Sequence, residues 1–399
     1  MTLQCIACAK NFPIDEIRYT CDCGNLLSVE RGTITVDRNV FDQRRASRNP
    51  LDQSGVWRFR EGVLDAGDDI VTHPEGNTRL YERGGIFFKH EGENPTGSFK
   101  DRGMTVAMTQ AKRLGARAVA CASTGNTSAS LAAYAAQAGL RAIVFIPSGK
   151  VAAGKLAQTL AYGATALSVR GGFDDAMRLV REACDALGIY LVNSINPFRI
   201  EGQKTIVWEL LQDLEWNPPD WIVVPAGNLG NTSAFGKALR EARAAGWIER
   251  TPRLAAIQAS GANPFYRSYS EDFAQRHRVD AETVASAIRI GDPVSYEKAV
   301  AAIRATNGVV EQVTDEELMA AKREIDRMGI GCEPASATTL AGVKKLRAAG
   351  VMRDGERIVC VLTGHILKDP DAILRGIETI EIEPTLEAVG KALAMSPRA

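Results

Sequence analysis

The sequence predicts an α/β protein with two doubly wound parallel-sheet domains and a small cysteine ribbon at its start. Three observations carry that expectation. From Ala118 onward short apolar runs alternate with amphipathic helical stretches, the pattern of parallel strands joined by crossover helices. At 399 residues the chain exceeds what one hydrophobic core usually serves. Four of its eight cysteines fall at Cys5, Cys8, Cys21 and Cys23. The expected division assigns 1–35 to the ribbon, 36–103 with 196–399 to a large domain, and 104–195 to a small one.

The ribbon pairs Cys5-x2-Cys8 with Cys21-x-Cys23, followed by Gly24. Four thiolates on two tight turns could hold one structural zinc and stabilise a segment too small for its own core. The second pair is one residue shorter than the usual knuckle, so a ribbon whose thiols simply pack is the competing reading. Residues 36–75 read as a lead-in, with turn signals at Asn49-Pro50. A loop at Gly76–Leu80 then feeds a short strand through Gly85–Lys89.

The alternation that follows gives strands at Ala118–Cys121, Ala142–Ile146, Ala164–Val169 and Tyr190–Val192. Helices at Thr127–Gln137, Val151–Tyr162 and Phe173–Leu187 separate them. A second alternation has strands at Trp221–Pro225, Leu254–Gln258 and Ile358–Leu362. Its helices lie near Gln203–Leu214, Ser233–Ala245, Glu316–Met328 and Ala337–Ala349. Between Asn263 and Ser295 the pattern weakens, which fits either a mobile flap or a packed excursion. The tail holds one helix-periodic run, Leu386–Leu393.

Lys plus Arg (48) balance Asp plus Glu (48), so neither nucleic acid nor an anionic membrane surface is an expected partner. A small-molecule substrate is expected instead. No apolar run approaches the roughly 20 residues of a membrane span, and Met1–Cys5 lacks the regions of a signal peptide. A cytoplasmic protein follows, with reduced cysteines suited to metal before disulfides.

Three loops carry the chemistry. Glu93–Gly103 places Lys100 at a loop-to-helix junction with Asp101 in the first turn. A positive helix end there disfavours the ammonium and favours a nucleophilic amine able to form a Schiff base. Ser123-Thr124-Gly125-Asn126-Thr127 is a strand-to-helix turn with more hydrogen-bonding side chains than one helix cap needs, which suggests an anionic ligand. Gly227-Asn228-Leu229-Gly230-Asn231 follows an apolar strand and opens a helix, the form of a phosphate cradle. It lacks the third glycine of a dinucleotide fingerprint. Thr363 and Gly364 follow a buried strand, where open α/β sheets place ligands.

These segments, with Asn193-Ser194, Cys332–Ala337 and Leu362–His365, resemble the threonine synthases, pyridoxal-phosphate enzymes of the tryptophan-synthase-β fold type. The resemblance spans about residues 70–370 in the family's order, and it extends to the cysteine ribbon. It implies a pyridoxal 5′-phosphate cofactor in the cleft between two domains, with Lys100 as its covalent anchor and catalytic base. Asn126 would face the cofactor's 3′-oxygen and Thr363 its ring nitrogen, while Gly227, Asn228, Leu229, Gly230 and Asn231 would hold its phosphate. Ser123, Thr124 and Thr127 would hold the substrate carboxylate, and Asn193, Ser194 and Arg199 the substrate phosphate. The implied reaction turns O-phospho-L-homoserine and water into L-threonine and phosphate, in a homodimer. An enzyme of β-replacement or dehydration acting on phosphoserine, serine or threonine is the alternative. The chain departs from the pattern at Arg79, where proline is usual, and at Ile366, where glycine is usual. Glu333 either lines the site or pairs with a nearby cation.

Overall fold

The computed structural model describes residues 1–65, 67, 69–149, 153–370, 372 and 379–395. Met1–Lys368 form one compact unit and Asp369–Ala399 a second. Within the first unit lie a three-stranded antiparallel ribbon sheet, a six-stranded sheet and a four-stranded sheet.

The ribbon consists of β1 (Thr2–Cys5), β2 (Asn11–Phe12) and β3 (Leu27–Glu30), in the order β2-β1-β3. After it come α1 (Arg38–Arg45), which Asp37 caps by accepting from the Asn39 N–H, and α2 (Arg60–Val63). The stretch read as a lead-in is in fact core. Phe41 and Phe59 are fully buried, and their rings pack with those of Trp208, Trp216 and Trp247.

Next come β4 (Leu80–Arg83) and β5 (Ile86–His90), an antiparallel pair. The turn between them puts Gly84 and Gly85 both at positive φ, the two-residue geometry that joins twisted strands and favours glycine. Strand β4 is therefore an antiparallel edge on an otherwise parallel sheet. Helix α3 (Lys100–Arg113) leads into the small sheet, built from β6 (Ala118–Ala122), β7 (Arg141–Pro147), β8 (Thr165–Val169) and β9 (Tyr190–Leu191). These run parallel in the order β8-β7-β6-β9. Helices α4 (Asn126–Ala138), α5 (Ala153–Ala161) and α6 (Phe173–Leu187) connect them. Residues 151 and 152 of the expected helix lie outside the described residues.

The helix expected near Gln203–Leu214 is α8 (Thr205–Asp213), and a further helix that was not expected, α7 (Pro197–Gln203), precedes it. Asn196 accepts from the Phe198 N–H and Pro197 occupies the first turn, a start signal that the apolar pattern hid. Helix α7 buries polar Arg199, Glu201 and Gln203 together with Phe198 and Ile200, so its seven residues show no apolar period.

The large sheet continues with β10 (Trp221–Pro225), α9 (Gly230–Ala244), β11 (Arg253–Ala259), α10 (Pro264–Ser270), α11 (Tyr296–Ala305) and β12 (Val309–Val313). It closes with α12 (Asp315–Arg327), α13 (Pro334–Ala348) and β13 (Ile358–Leu362). The strand order is β12-β11-β10-β13-β5-β4. Strand β12 is a further element that the sequence hid, since its edge position leaves Glu311 and Gln312 half-exposed. The Asn263–Ser295 stretch is a packed excursion. Phe265 is fully buried against the Phe273 and Tyr296 rings, and Ile288 lies where a side chain on Gly227 would go. Arg267 there donates to Asn263. The second unit contains α14 (Leu386–Met395). No helix among the described residues is long and apolar enough to cross a membrane.

Candidate active site

Lys100 is the first residue of α3, and its loop is stitched to the end of β13. The Phe99 N–H donates to the Thr363 carbonyl (3.0 Å), the His365 N–H donates to the Gly97 carbonyl (2.9 Å), and Ser98 bridges Gly364. Behind the lysine, the Asp101 carboxyl accepts from the Thr96 N–H (2.7 Å), the Thr96 hydroxyl (2.6 Å) and the Ser130 hydroxyl (2.6 Å). Arg102, fully buried, is paired with Glu91 (2.6 Å) and Glu209 (2.7 Å). These bonds fix the helix start and leave Lys100 free.

The Lys100 amine lies 4.1 Å from the Phe99 ring centroid and makes no hydrogen bond among the described residues. Its pKa falls to about 7, mainly through burial and secondarily through the Arg199 charge, with Glu333 opposing. The direction is the expected one, but the cause differs. Loss of water, which the sequence did not suggest, is the main cause.

Helix α7 crosses α3 at glycines. A Cβ on Gly202 would stand 1.7 Å from the Arg102 carbonyl oxygen, and one on Gly103 would stand 2.9 Å from that of Arg199. This close approach brings Arg199 into the field of Lys100. Arg199 is 4% exposed, donates from one terminal nitrogen to the Val192 carbonyl (3.0 Å), and leaves its Nε buried without a partner. No carboxylate among the described residues pairs with it. Burial lowers its pKa to about 10. A buried arginine without a counter-ion is costly unless an anion completes it.

The Ser123–Thr127 turn joins β6 to α4. Ser123 accepts from the Gly125 N–H (3.3 Å), and Thr124 and Thr127 are half-buried with uncommitted hydroxyls. The Asn193 side chain is spent on backbone: its amide oxygen accepts from the Ala122 N–H (3.0 Å) and its nitrogen donates to the Ala122 carbonyl (3.1 Å). Asn126 donates to Glu333 Oε2 (2.9 Å), and Glu333 Oε1 lies 3.2 Å from the Thr363 hydroxyl. Glu333 therefore stands between the residue expected at the cofactor's 3′-oxygen and the one expected at its ring nitrogen, with burial raising its pKa. The only sequence sign of its position is a glutamate directly before the proline that opens α13.

Strand β10 delivers the glycine loop. Leu229 adopts φ +63° and opens α9 without any side-chain cap, so the first-turn N–H groups point outward uncapped. Around them the Asn231 Oδ1, Thr232 Oγ1 and Gln203 Oε1 atoms are buried without partners among the described residues. Asn228 donates to the Ser194 hydroxyl (2.7 Å) and accepts from the Val294 N–H (2.7 Å). Ser194 is thereby tied to the loop, beside the helix that bears Arg199.

The four ribbon cysteines form a separate cluster whose sulfurs all lie within 4.8 Å of one another. The Cys5–Cys23, Cys8–Cys21 and Cys8–Cys23 separations are 3.5, 3.6 and 3.7 Å.

A family model for pyridoxal-phosphate-dependent enzymes matches residues 71–364. A threonine synthase of Methanocaldococcus jannaschii is 46% identical, with 98% of this chain and 99% of that protein covered. Another from Methanosarcina acetivorans is also 46% identical, over 96% of this chain and 95% of that protein. Among solved structures, threonine synthase from Escherichia coli superposes with a TM-score of 0.74 at 17% identity, covering 98% of this chain and 94% of that one. The last likeness is one of fold alone.

Proposed function

Because the chain belongs to the pyridoxal-phosphate-dependent enzymes and, within them, to the threonine synthases, we propose that it converts O-phospho-L-homoserine and water to L-threonine and phosphate. The residues present fit the cofactor. Lys100 supplies an uncommitted amine, the uncapped start of α9 supplies N–H donors for a phosphate, and the unpartnered Thr232 hydroxyl supplies a further donor. The assigned holders are Lys100, Asn126, Gly227, Asn228, Leu229, Gly230, Asn231 and Thr363. Bound through its aldehyde, pyridoxal phosphate supplies an electron sink for negative charge at the substrate's α-carbon.

The chain's own residues do the rest. Lys100 takes the α-proton and then a β-proton as the phosphate leaves Cγ, gives one proton to Cγ, and returns one to the α-carbon once water has added at Cβ, the proton that water releases matching the one the phosphate takes. The hydroxyls of Ser123, Thr124 and Thr127 fix the substrate carboxylate, and so the face that Lys100 can reach. Arg199 and Ser194 hold the substrate phosphate. Asn193, clamped across the Ala122 peptide, keeps Ser194 and the Ser123 turn in register. Arg199 is the observation that carries the substrate assignment: a buried guanidinium without a carboxylate fits a phosphate. Unphosphorylated serine or threonine would leave it unpaired. Product analysis with phosphohomoserine, phosphoserine and threonine tests the proposal. Threonine formed only from phosphohomoserine is the expected result, and ammonia released preferentially from serine or threonine would overturn it.

The ribbon fits a structural zinc. A tetrahedral site with Zn–S of about 2.3 Å sets its sulfurs about 3.8 Å apart, close to the separations in the cysteine cluster. The resemblance to the threonine synthases carries the expectation of a homodimer, which sedimentation velocity tests.

A further inference from the structure

Hydrogen-bond accounting around Thr363 assigns a task to Glu333. The Ser336 hydroxyl oxygen accepts from two backbone N–H groups, those of Thr363 (2.8 Å) and Gly364 (3.1 Å). With both lone pairs filled, its own proton is left to donate, and Thr363 Oγ1 lies 3.1 Å away. A second position on Thr363 Oγ1 faces Glu333 Oε1 at 3.2 Å, while Glu333 Oε2 accepts from the Asn126 amide at 2.9 Å. Asn126 thereby picks out Oε2 as the carbonyl-like oxygen and Oε1 as the one to carry a proton. The carboxyl group is held tightly, since a Cβ on Gly364 would come within 2.4 Å of it.

We infer that Glu333 is a positioning residue that acts in its neutral form. It donates to Thr363 Oγ1, which together with Ser336 fills that oxygen's lone pairs and turns the Thr363 proton toward the cofactor's ring nitrogen. That nitrogen is then kept as a hydrogen-bond acceptor. The inference rests on the proposed placement of pyridoxal phosphate between Asn126 and Thr363. If Glu333 ionised, its carboxylate would take the Thr363 proton and the ring nitrogen would lose its donor. The charged groups facing Glu333 are Lys100 at the start of α3 and Lys368 in the turn after β13, and both favour ionisation. His365 in the same turn lies beside Lys368, and Cys332 precedes Glu333 in the chain. Burial outweighs the two cations and raises the Glu333 pKa. As pH rises through that raised value the neutral form, and with it the bond to the ring nitrogen, is lost.

The test uses the full protein loaded with pyridoxal phosphate labelled with nitrogen-15 in its ring, read by NMR without substrate between about pH 5 and 9. The parent's ring signal is expected to lie in the unprotonated, hydrogen-bonded range at low pH and to move in one step as Glu333 ionises. Glu333→Gln mimics the neutral acid, donating to Thr363 and accepting from Asn126. Its signal should stay at the parent's low-pH position throughout. Glu333→Ala should weaken cofactor binding about tenfold in a spectral titration, and Glu333→Gln should recover most of that loss. A Glu333→Gln signal that titrates like the parent's, or that sits at the parent's high-pH position, would overturn the inference. A Glu333→Gln affinity no better than that of Glu333→Ala would do the same. Should Glu333→Ala fail to fold, the comparison of parent with Glu333→Gln still decides. A parent that takes up no pyridoxal phosphate would remove the cofactor reading itself, an outcome distinct from the others.

Discussion

Among the described residues neither Lys100 nor Arg199 pairs with a carboxylate, but different chemistry is expected of each. Lys100 is asked to be a nucleophile, and its pKa of about 7 leaves a large neutral fraction near neutrality. For a lysine lowered by burial, the charged, unreactive form dominates below that value and the free amine above it. The rate at which cofactor-free protein takes up pyridoxal phosphate should therefore rise from pH 6 to 8 and level off beyond. A rate flat across that range would mean the Lys100 amine is not the group captured. Lys100→Ala should abolish turnover and the absorbance band of the lysine–cofactor aldimine while leaving far-UV circular dichroism unchanged. Arg199 faces a different demand, namely holding a charge that leaves. Loss of a charge-assisted hydrogen bond costs about 1.5–3 kcal/mol, so Arg199→Ala should lower kcat/KM for phosphohomoserine at least about tenfold. Any slow deamination of serine or threonine should hardly change, since those substrates carry no phosphate. Equal losses on both would assign Arg199 to folding or cofactor position.

Between elements, the decisive contact is α3 against α7, because it sets the Lys100 amine near the Arg199 guanidinium. Gly202 makes it possible, with no room for a methyl group before the Arg102 carbonyl. Overpacking of this kind costs about 1–3 kcal/mol. Gly202→Ala should lower the thermal midpoint and raise KM for phosphohomoserine together, whereas an unchanged KM would show that the helices part without moving Arg199. The strands and helices with a clean apolar period were legible in the sequence, and Phe173–Leu187, Trp221–Pro225 and Ile358–Leu362 stand where the pattern put them. Helix α7 was not, because it is buried all round: Phe198 and Ile200 pack in the core while Arg199, Glu201 and Gln203 are buried beside them, so no apolar stripe stands out from a polar face. Strand β12 was lost for the opposite reason, an edge position that tolerates Glu311 and Gln312. Within the site, Lys100, the Asn126 turn and the glycine loop were visible as loops with surplus polar groups. The task of Glu333 was not, since it depends on Thr363 and Asn126 arriving from distant parts of the chain.

Over the whole molecule, the cysteine ribbon is held by more than its own thiols. Leu3, Leu27 and Val29 are buried in the same core cluster as Trp208 and Phe235. Lys298 from α11 donates to the Leu27 carbonyl (2.6 Å), and Lys237 from α9 donates to that of Val29. Arg31 pairs with Glu201 on α7 (2.8 Å). Strand β3 thus rests on α7, α9 and α11, while Cys5 ends β1 and Cys8, Cys21 and Cys23 lie between the ribbon's strands. A zinc ion there would tie those segments together without touching the helix starts. Changing Cys5 and Cys8 together to serine should remove stoichiometric zinc and lower the thermal midpoint by about 2–5 °C. Turnover at 25 °C should stay within about twofold, because the buried lysine and arginine contacts of β3 survive the loss of metal. A loss of turnover matching the loss of zinc would mean that the ribbon shapes the site through α7 and α9. Protein prepared without chelator and found free of zinc would retire the metal and leave the four thiols to pack on their own.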